Sequence, residues 1–140
     1  MLLVVDANIL FKALIGRGSM LKLFFLENLI ISSPKVLFEE ILKHEKEIAN
    51  KGMVSVPELK GALLNIKDRI KLIPLEDISA ESKEKAKSLA PHKKDEAYFA
   101  VALESKAAIW SDEKAFKKQS SVKVYNTSEL MDLFKSGKFA

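Results

Sequence analysis

Short apolar runs alternate with amphipathic stretches along this chain. The unbroken run from Leu2 to Val5 is typical of a central strand of a parallel sheet, because such strands are buried on both faces. Further apolar runs predict strands at 29–31, 70–74, 107–110 and 122–125. The segments between them have helical patterns, at 7–15, 20–27, 34–50, 57–69, 79–89, from Asp95 onward and after Thr127. Because parallel strands need crossover connections, this alternation predicts an α/β fold with three layers, α/β/α, around a central parallel sheet of about five strands.

Local signals mark where several of these helices begin and end. Gly16-Arg17-Gly18 breaks the first helix, and Ser19 can cap the second. Ser33-Pro34 has the form of an N-cap followed by proline at the first helical position. The next helix is therefore predicted to run without interruption to about Asn50, with Gly52 as its stop. The helix after Asp95 is apolar almost all round, which indicates packing on two sides.

Composition narrows the class of protein. A length of 140 residues is typical of one domain, here 1–140, which can bury a sizeable core. The absence of cysteine makes the cytoplasm the expected compartment. The longest apolar stretch, 20–31, is interrupted by charged and amide residues, so no membrane span is expected. The net charge of +4 is compatible with a polyanionic partner but does not demand one.

Carboxylates stand at the ends of the predicted elements. Asp6 ends the first strand, Asp112 and Glu113 follow the fourth, and Glu40 and Asp95 belong to helices that can reach the same edge of the sheet. Open parallel sheets form their sites outside the carboxyl ends of their strands. Each acid also has a purely structural explanation, because aspartate caps helices and acidic residues stabilise helix N-termini.

A cluster of carboxylates predicts a particular kind of chemistry. Neighbouring negative charges raise one another's pKa, and a divalent cation relieves that repulsion. Mg²⁺ and Mn²⁺ prefer carboxylate and water oxygens, whereas the lack of cysteine and the scarcity of histidine argue against a zinc or iron–sulfur site. Near a phosphodiester such a cation can activate water and stabilise the leaving oxygen. The acids therefore indicate hydrolysis of nucleic acid.

The histidines and the tryptophan have structural interpretations. His44 shares a helix face with Leu37, Ile41 and Ile48, so it is predicted to be packed and hydrogen-bonded rather than to bind a metal. His92 is predicted to lie in a surface loop. Trp110 ends a buried strand and is predicted to belong to the core, with base stacking as the alternative.

Several sequence blocks together resemble the PIN-domain family: VVDAN at the start, SPKVLFEEI in the third helix, KDEAYFAVAL, and AIWSDEKAF followed by VKVYNTSEL. The likeness covers nearly the whole chain. It implies a compact α/β/α nuclease whose acidic pocket binds Mg²⁺ or Mn²⁺ and cleaves single strands, usually of RNA.

Carried over by position, the resemblance implies a set of site residues. The acids that would bind the metal and act in catalysis are Asp6, Glu40, Asp95 and one or both of Asp112 and Glu113, with Asn8 and Ser111 as polar supports. In relatives with a tryptophan-serine pair at this strand, the acid commonly falls two residues after the serine and is usually aspartate. That position is Glu113 here, with Asp112 between, so the ligand at this point stays open.

The resemblance also implies partners. Flanking lysines could hold the backbone of single-stranded RNA, with solvated surface side chains as the alternative; they are Lys93, Lys94, Lys114, Lys117 and Lys118. Many small PIN proteins are toxins silenced by an antitoxin protein, and many self-associate. An antitoxin partner and a homodimer are therefore expectations for this chain.

Three other classes of protein compare less well or stay open. A receiver domain needs an acceptor aspartate at the end of its third strand, and Asp77 lies several residues too late. A phosphatase of the Asp-x-Asp type needs a second acid where this chain has Asn8. A non-catalytic PIN-like module that binds nucleic acid or protein is the serious alternative, because Glu113 departs from the usual aspartate.

Overall fold

Five parallel strands form the sheet at the centre of the molecule. The computed structural model describes residues 1–15 and 19–138. The strands run in the spatial order β3-β2-β1-β4-β5. They are β1 (Leu2–Val5), β2 (Ile30–Pro34), β3 (Ile70–Ile73), β4 (Ala108–Trp110) and β5 (Val124–Tyr125). The predicted parallel sheet of about five strands is confirmed.

The strand β1 lies in the middle of this sheet. Leu3, Val4 and Val5 are fully buried, as the unbroken apolar run predicts. The chain builds outward from β1 through β2 to β3, and then crosses back to place β4 on the other side of β1. The carboxyl ends of β1 and β4 therefore meet at the point where the strand order reverses, which is where open α/β sheets form their binding crevices.

Helices cover both faces of the sheet. They are α1 (Ala7–Ile15), α2 (Ser19–Leu23), α3 (Val36–Lys43), α4 (Glu45–Gly52), α5 (Val56–Lys67), α6 (Ala80–Leu89), α7 (Glu96–Ser105) and α8 (Thr127–Lys135). Right-handed crossovers place the helices between β1 and β3 on one face and those between β3 and β4 on the other. In agreement, α1 contacts α3, α4 and α5, while α6 packs on α7. The three-layer prediction is confirmed.

The helix α7 is the most buried of these helices. Tyr98, Phe99, Ala100, Val101 and Ala102 are all buried, because α7 packs against the sheet on one side and α6 on the other. This confirms the prediction of a helix packed on two sides. Asp95 itself lies in a short 3-10 turn, Lys93–Asp95, directly before the helix.

The boundary between β2 and α3 differs from the prediction. The strand extends to Pro34, so Ser33 is not an N-cap and Pro34 is not the first helical residue. Instead, the Ser33 hydroxyl donates to the Val5 carbonyl oxygen at 2.9 Å, across to β1. Pro34 pairs with Ile73 of β3, and this contact between strands far apart in sequence outweighs the local helix signal.

The predicted single helix over 34–50 is also wrong, because His44 divides it into α3 and α4. The backbone of His44 leaves the helical region, with φ −110° and ψ 16°, and its N–H bonds the carbonyls of Glu40 and Ile41. The predicted packing of His44 is wrong as well. Its ring is exposed and lies 3.5 Å from the Glu47 carboxylate, at the surface between the two helices.

The second helix is shorter than predicted. It ends at Leu23, and the turn that follows is held by Arg69, whose guanidinium donates to the carbonyl oxygens of Phe24 and Leu26 at 3.0 and 3.1 Å. The predicted break at 16–18 lies outside the described residues. Within the described ranges, none of the helices combines the length and the apolar character that crossing a bilayer requires. The cytoplasmic location stays a prediction.

Candidate active site

Asp6 lies at the point where the sheet order reverses. It follows β1 directly, and its backbone N–H donates to the carbonyl oxygen of Trp110 at the end of β4, at 3.3 Å. Its carboxylate is buried, and both of its oxygens accept hydrogen bonds. Oδ1 accepts from the Ile9 N–H at 2.9 Å, in the first turn of α1, and Oδ2 accepts from the Ser111 hydroxyl. Asp6 thus caps α1 and also faces the edge of the sheet.

The surroundings of Asp6 disfavour its charge. Burial is the largest effect and raises the pKa of Asp6 to about 6, although the hydrogen bonds from Ser111 and Ile9 act in the opposite direction. The negative charges of Glu113 and Asp112 raise the pKa further. The fold therefore holds a carboxylate where its ionised form is destabilised, a feature that is more frequent at functional sites than elsewhere.

Four of the predicted acids line one pocket of about 150 Å³. Asp6 contributes from the end of β1, Glu40 from α3, Asp95 from the turn before α7 and Glu113 from the loop after β4. We refer to this site as the acidic pocket. These residues come from four separate segments, and only the parallel sheet with its central β1 brings them to one edge.

Burial and neighbouring charges shift the pKa values of Glu40 and Asp95 inside the acidic pocket. Burial is the main effect that raises the pKa of Glu40; Asp95 adds to it and Lys94 opposes it. Burial likewise raises the pKa of Asp95, against Lys94 and His92, with a further increase from Glu113. Among the described residues that line the pocket, Lys94 is the one lysine or arginine side chain. Negative charge is therefore poorly balanced.

Asp112 and Glu113 turn in different directions from the loop after β4. Asp112 does not line the acidic pocket. Its Oδ1 accepts from the Thr127 N–H at 2.7 Å, and its Oδ2 accepts from the Thr127 hydroxyl at 3.0 Å and from Lys12 at 3.2 Å. Burial acts to raise the pKa of Asp112, but the bonds from Thr127 and Lys12 outweigh it, so the pKa is lowered.

The two predicted polar supports lie beside Glu113 and Asp6. The Asn8 amide donates to Glu113 Oε1 at 3.2 Å. The Ser111 hydroxyl donates to Asp6 and accepts from the Glu113 N–H at 3.1 Å, and it is buried between them. Together the two side chains tie the loop after β4 to the end of β1, which holds Asp6 and Glu113 on the same pocket.

The five predicted RNA-binding lysines are spread over different surfaces. Lys94 lines the acidic pocket, while its neighbour Lys93 lines a separate cavity beside Leu75, Glu96 and Ala100. Lys117 forms an ion pair with Glu129. The other two are exposed and do not line the pocket; they are Lys114 and Lys118.

The aromatic and histidine predictions near the site have clear outcomes. Trp110 is fully buried, packs on Phe24 with ring centroids 5.0 Å apart, and donates from its indole N–H to the Thr127 hydroxyl at 3.0 Å. Its core assignment is confirmed. His92 is exposed, as predicted, but it also lines the acidic pocket, which the sequence analysis missed.

Tyr98 is a second pocket residue that the sequence analysis missed. It is not among the predicted site residues, yet it lines the acidic pocket three residues after Asp95. That spacing was a usable signal, because residues three apart share a helix face. The ring is buried, and its hydroxyl has no hydrogen-bond partner among the described residues.

The chemistry of the acidic pocket fits a hard divalent cation. Four carboxylates form a set of oxygen ligands of the kind that Mg²⁺ or Mn²⁺ prefers. As the side chains stand, no three of the aspartate, glutamate or histidine groups in the described part of the chain are arranged to hold an ion together. Glu113 is exposed and Glu40 half-buried, so both side chains have freedom to turn toward Asp6.

The fold and the pocket together define an α/β protein with a carboxylate-lined site at the reversal point of a parallel sheet. A family model of the PIN domain matches residues 4–132. The chain therefore belongs to the PIN-domain family, and the resemblance inferred from its sequence is confirmed. Since PIN domains are nucleases, the family supports the broad class of hydrolases that act on nucleic acids.

The fold has relatives among solved structures. Eleven chains match it. One belongs to the crystal structure of VapBC2 from Rickettsia felis bound to a DNA fragment from their promoter. The two chains superpose with a TM-score of 0.70 at 16% identity, over 90% of this chain and 98% of the other. At that identity the likeness is one of fold. No curated protein sequence matches the chain.

Proposed function

We propose that this chain is a metal-dependent endoribonuclease that hydrolyses phosphodiester bonds of single-stranded RNA. The observation that carries the proposal is the acidic pocket, in which four carboxylates from distant segments converge, with Lys94 as the one lysine or arginine among the described residues that line it. Such a cluster is unfavourable without a cation. Membership of the PIN-domain family supports the nuclease class, while the cation and the RNA substrate are our inference.

Each acid has a distinct role in this proposal. Asp6 is the fixed member, because Ser111 and Ile9 hold both of its oxygens, and it would hold Mg²⁺ or Mn²⁺ together with Asp95, Glu40 and Glu113. A bound cation would supply an activated water and stabilise the leaving oxygen. We assign the open position after β4 to Glu113 rather than Asp112, because Asp112 is already engaged by Thr127 and Lys12.

A second groove supports a strand-shaped substrate. It has a volume of about 430 Å³ and shares Asn8 and Glu113 with the acidic pocket. Its walls come from α1, α4 and the loop after β4, and they combine the apolar side chains of Phe11, Ile15 and Ile48 with two ion pairs, Lys12–Asp112 and Lys51–Glu47. We assign this groove to nucleotides next to the cleaved phosphate, since bases can lie on its apolar surface.

We further propose that the nuclease is the toxin of a toxin–antitoxin pair. The likeness of fold to a chain of VapBC2 supports this assignment. In that case an antitoxin protein would hold the activity silent. Self-association into a homodimer belongs to the same proposal and is tested separately, by measuring the mass of the purified protein in solution.

Cleavage of a labelled single-stranded RNA tests the nuclease proposal directly. The parent protein, Asp6→Asn and the matched control Asp132→Asn are purified identically and assayed with Mn²⁺, Mg²⁺ or EDTA. Asp132 is exposed on α8 and does not line the pocket, so its variant controls for contaminating ribonuclease and for charge. We expect cleavage by the parent and Asp132→Asn only with metal, and none by Asp6→Asn.

The alternative function is a non-catalytic module that binds nucleic acid. Binding of RNA by the parent without turnover under any metal, and equally by Asp6→Asn, would favour that alternative. Cleavage by all three proteins at equal rates would instead indicate a contaminant and leave the pocket without an assigned reaction.

A further inference from the structure

The hydroxyl of Tyr98 is a buried polar group at the wall of the acidic pocket. The side chain is 3% exposed, and its hydroxyl oxygen is buried without a hydrogen-bond partner in the described structure. Leaving a buried hydroxyl unpaired is unfavourable, and most buried polar groups in native proteins have a partner. An unpaired group of this kind at a pocket wall indicates a partner that enters with a ligand.

The neighbours of this hydroxyl do not supply the missing bond. Glu40 and the Ala7 backbone lie close to the hydroxyl: Tyr98 acts to lower the pKa of Glu40, and the Ala7 backbone acts to lower the pKa of Tyr98, as weak polar contacts do. Neither contact has the distance and angles of a formed hydrogen bond, so the hydroxyl is left without a full partner among the described residues. Burial is the main effect that raises the pKa of Tyr98, and Glu40, Asp6 and Asp95 raise it further. The phenol therefore keeps its proton at any physiological pH and is available as a donor among three carboxylates.

The position of Tyr98 on the chain holds the hydroxyl in place. Its ring is part of the buried face of α7, which packs against β1, β2 and β4. Asp95 precedes it by three residues, so the two side chains lie on the same side of the helix start. A rigid ring leaves little freedom for the hydroxyl, which makes it a fixed donor rather than a mobile one.

We propose that the Tyr98 hydroxyl donates a hydrogen bond to an oxygen of the ligand bound in the acidic pocket, and so positions that ligand between Asp6 and Glu40. The proposal rests on the proposed nuclease function. The acceptor is an oxygen in either of two forms, a water that accompanies the cation or a phosphate oxygen of the RNA. Either oxygen has a lone pair that can accept the hydrogen bond of the phenol.

The test compares Tyr98→Phe with the matched control Tyr125→Phe. Both changes remove one phenol hydroxyl, but Tyr125 lies in β5 and does not line the acidic pocket. Because Tyr98→Phe removes an unpaired polar group and keeps the ring, we expect its thermal stability to equal or exceed that of the parent. We expect its kcat/KM for RNA cleavage to fall roughly 10- to 100-fold, the range for a hydrogen bond to a charged or strongly polar group.

Two binding measurements identify the acceptor. Mn²⁺ is titrated into each protein by calorimetry without RNA, and a labelled single-stranded RNA is titrated in EDTA by fluorescence anisotropy. A weaker Mn²⁺ affinity in Tyr98→Phe assigns the acceptor to water that accompanies the cation. A weaker RNA affinity with unchanged Mn²⁺ affinity assigns it to the phosphate. Both results support the proposal, provided that Tyr125→Phe behaves as the parent.

Other outcomes overturn the proposal and separate it from the proposed function. If the parent cleaves RNA and Tyr98→Phe matches it in cleavage and in both affinities, only the role of Tyr98 is wrong. If the Tyr98→Phe defect disappears in a Glu40→Gln background, the hydroxyl acts through Glu40 and contacts no ligand. If the parent binds neither Mn²⁺ nor RNA and cuts nothing, the proposed function fails and the role of Tyr98 fails with it.

Discussion

Asp112 and Glu113 are adjacent in sequence, yet they belong to two regions with opposite electrostatics. Asp112 faces the start of α8, where Thr127 and Lys12 satisfy its carboxylate and lower its pKa. Glu113 faces the acidic pocket, where Asp6, Glu40 and Asp95 all have raised pKa values. The charge of Asp112 therefore stabilises the fold, whereas ionisation of Asp6, Glu40 and Asp95 reduces its stability.

This difference separates a structural acid from a candidate functional one. Paired carboxylates close to a helix N-terminus contribute stability through hydrogen bonds and the helix dipole. Crowded, desolvated carboxylates lower stability, and proteins retain such groups mainly where they serve a site. The loop after β4 places one of two consecutive residues in each region, so changes at these positions test the distinction under matched conditions.

Removal of the two charges should have very different effects on cleavage. We expect Glu113→Gln to reduce kcat/KM for RNA by roughly 100-fold, since loss of a group at a metal site commonly has effects of 10- to 100-fold or more. Asp112→Asn should stay within about threefold of the parent, because its side chain bonds Thr127 and Lys12 at the border of the neighbouring groove and does not line the acidic pocket. Initial rates at several RNA concentrations measure both. A larger loss in Asp112→Asn would reverse our assignment.

The raised pKa of Asp6 predicts how the stability of the cation-free protein depends on pH. Between the ordinary value of 3.8 and the folded value of about 6, the folded state keeps a proton that the unfolded state has lost. The free energy of unfolding therefore decreases as pH rises through this window. We expect a loss of about 2–3 kcal/mol from this group. The Asp6→Asn variant should not show this loss of stability.

Urea unfolding in EDTA from about pH 2.5 to pH 8 measures this effect in the parent and in Asp6→Asn, and the part of the series below 3.8 covers the effect of Asp112. Asp112 should show the opposite dependence, because its pKa is lowered. The stability that it contributes is present above its ordinary value of 3.8 and is lost as pH falls through the folded value. Parallel pH curves for the parent and Asp6→Asn would contradict the raised pKa.

Asp112 should matter more for stability than for cleavage. Its Oδ1 pairs the Thr127 N–H, one of the donors that the first turn of α8 leaves without a helical partner. We expect Asp112→Ala to lower the free energy of unfolding by about 1–2 kcal/mol, with little from the half-exposed Lys12 pair. Urea unfolding at pH 7 measures this change in the free energy of unfolding. The control Asp132→Ala, on the exposed side of α8, should change it by less than about 0.5 kcal/mol. Equal effects would contradict the capping role.

Much of the fold could be predicted from the sequence because its main signals are local. The apolar run at 2–5 followed by Asp6 identifies both the central strand and the edge where it ends. The β2–α3 boundary could not be predicted in this way. Ser33-Pro34 has a strong local helix signal, and the contacts that override it, to Val5 and Ile73, lie far away in sequence.

The candidate site shows the same division between local and distant information. Its acids could be named from the sequence, since they follow strands or belong to helices near one edge. The choice between Asp112 and Glu113 could not be made, because it depends on Thr127, which follows 15 residues later, and on Lys12, which is 100 residues away. The lysines raise the same difficulty: Lys93 and Lys94 are neighbours in sequence but line different cavities.

This last pair gives the smallest and most specific expected effect. Lys94→Gln should weaken RNA binding about threefold to tenfold at low salt. It should also reduce the slope of log affinity against log salt concentration by about 0.7, which is the change expected when one phosphate contact to a single strand is lost. Lys93→Gln is the matched control and should bind as the parent. Fluorescence anisotropy at several salt concentrations measures the RNA affinity of both variants.

Because Lys94 lowers the pKa of Glu40 and Asp95, its removal should also move the acidic limb of the pH profile of cleavage to higher pH. Equal behaviour of the two variants would show that the acidic pocket balances its charge without Lys94.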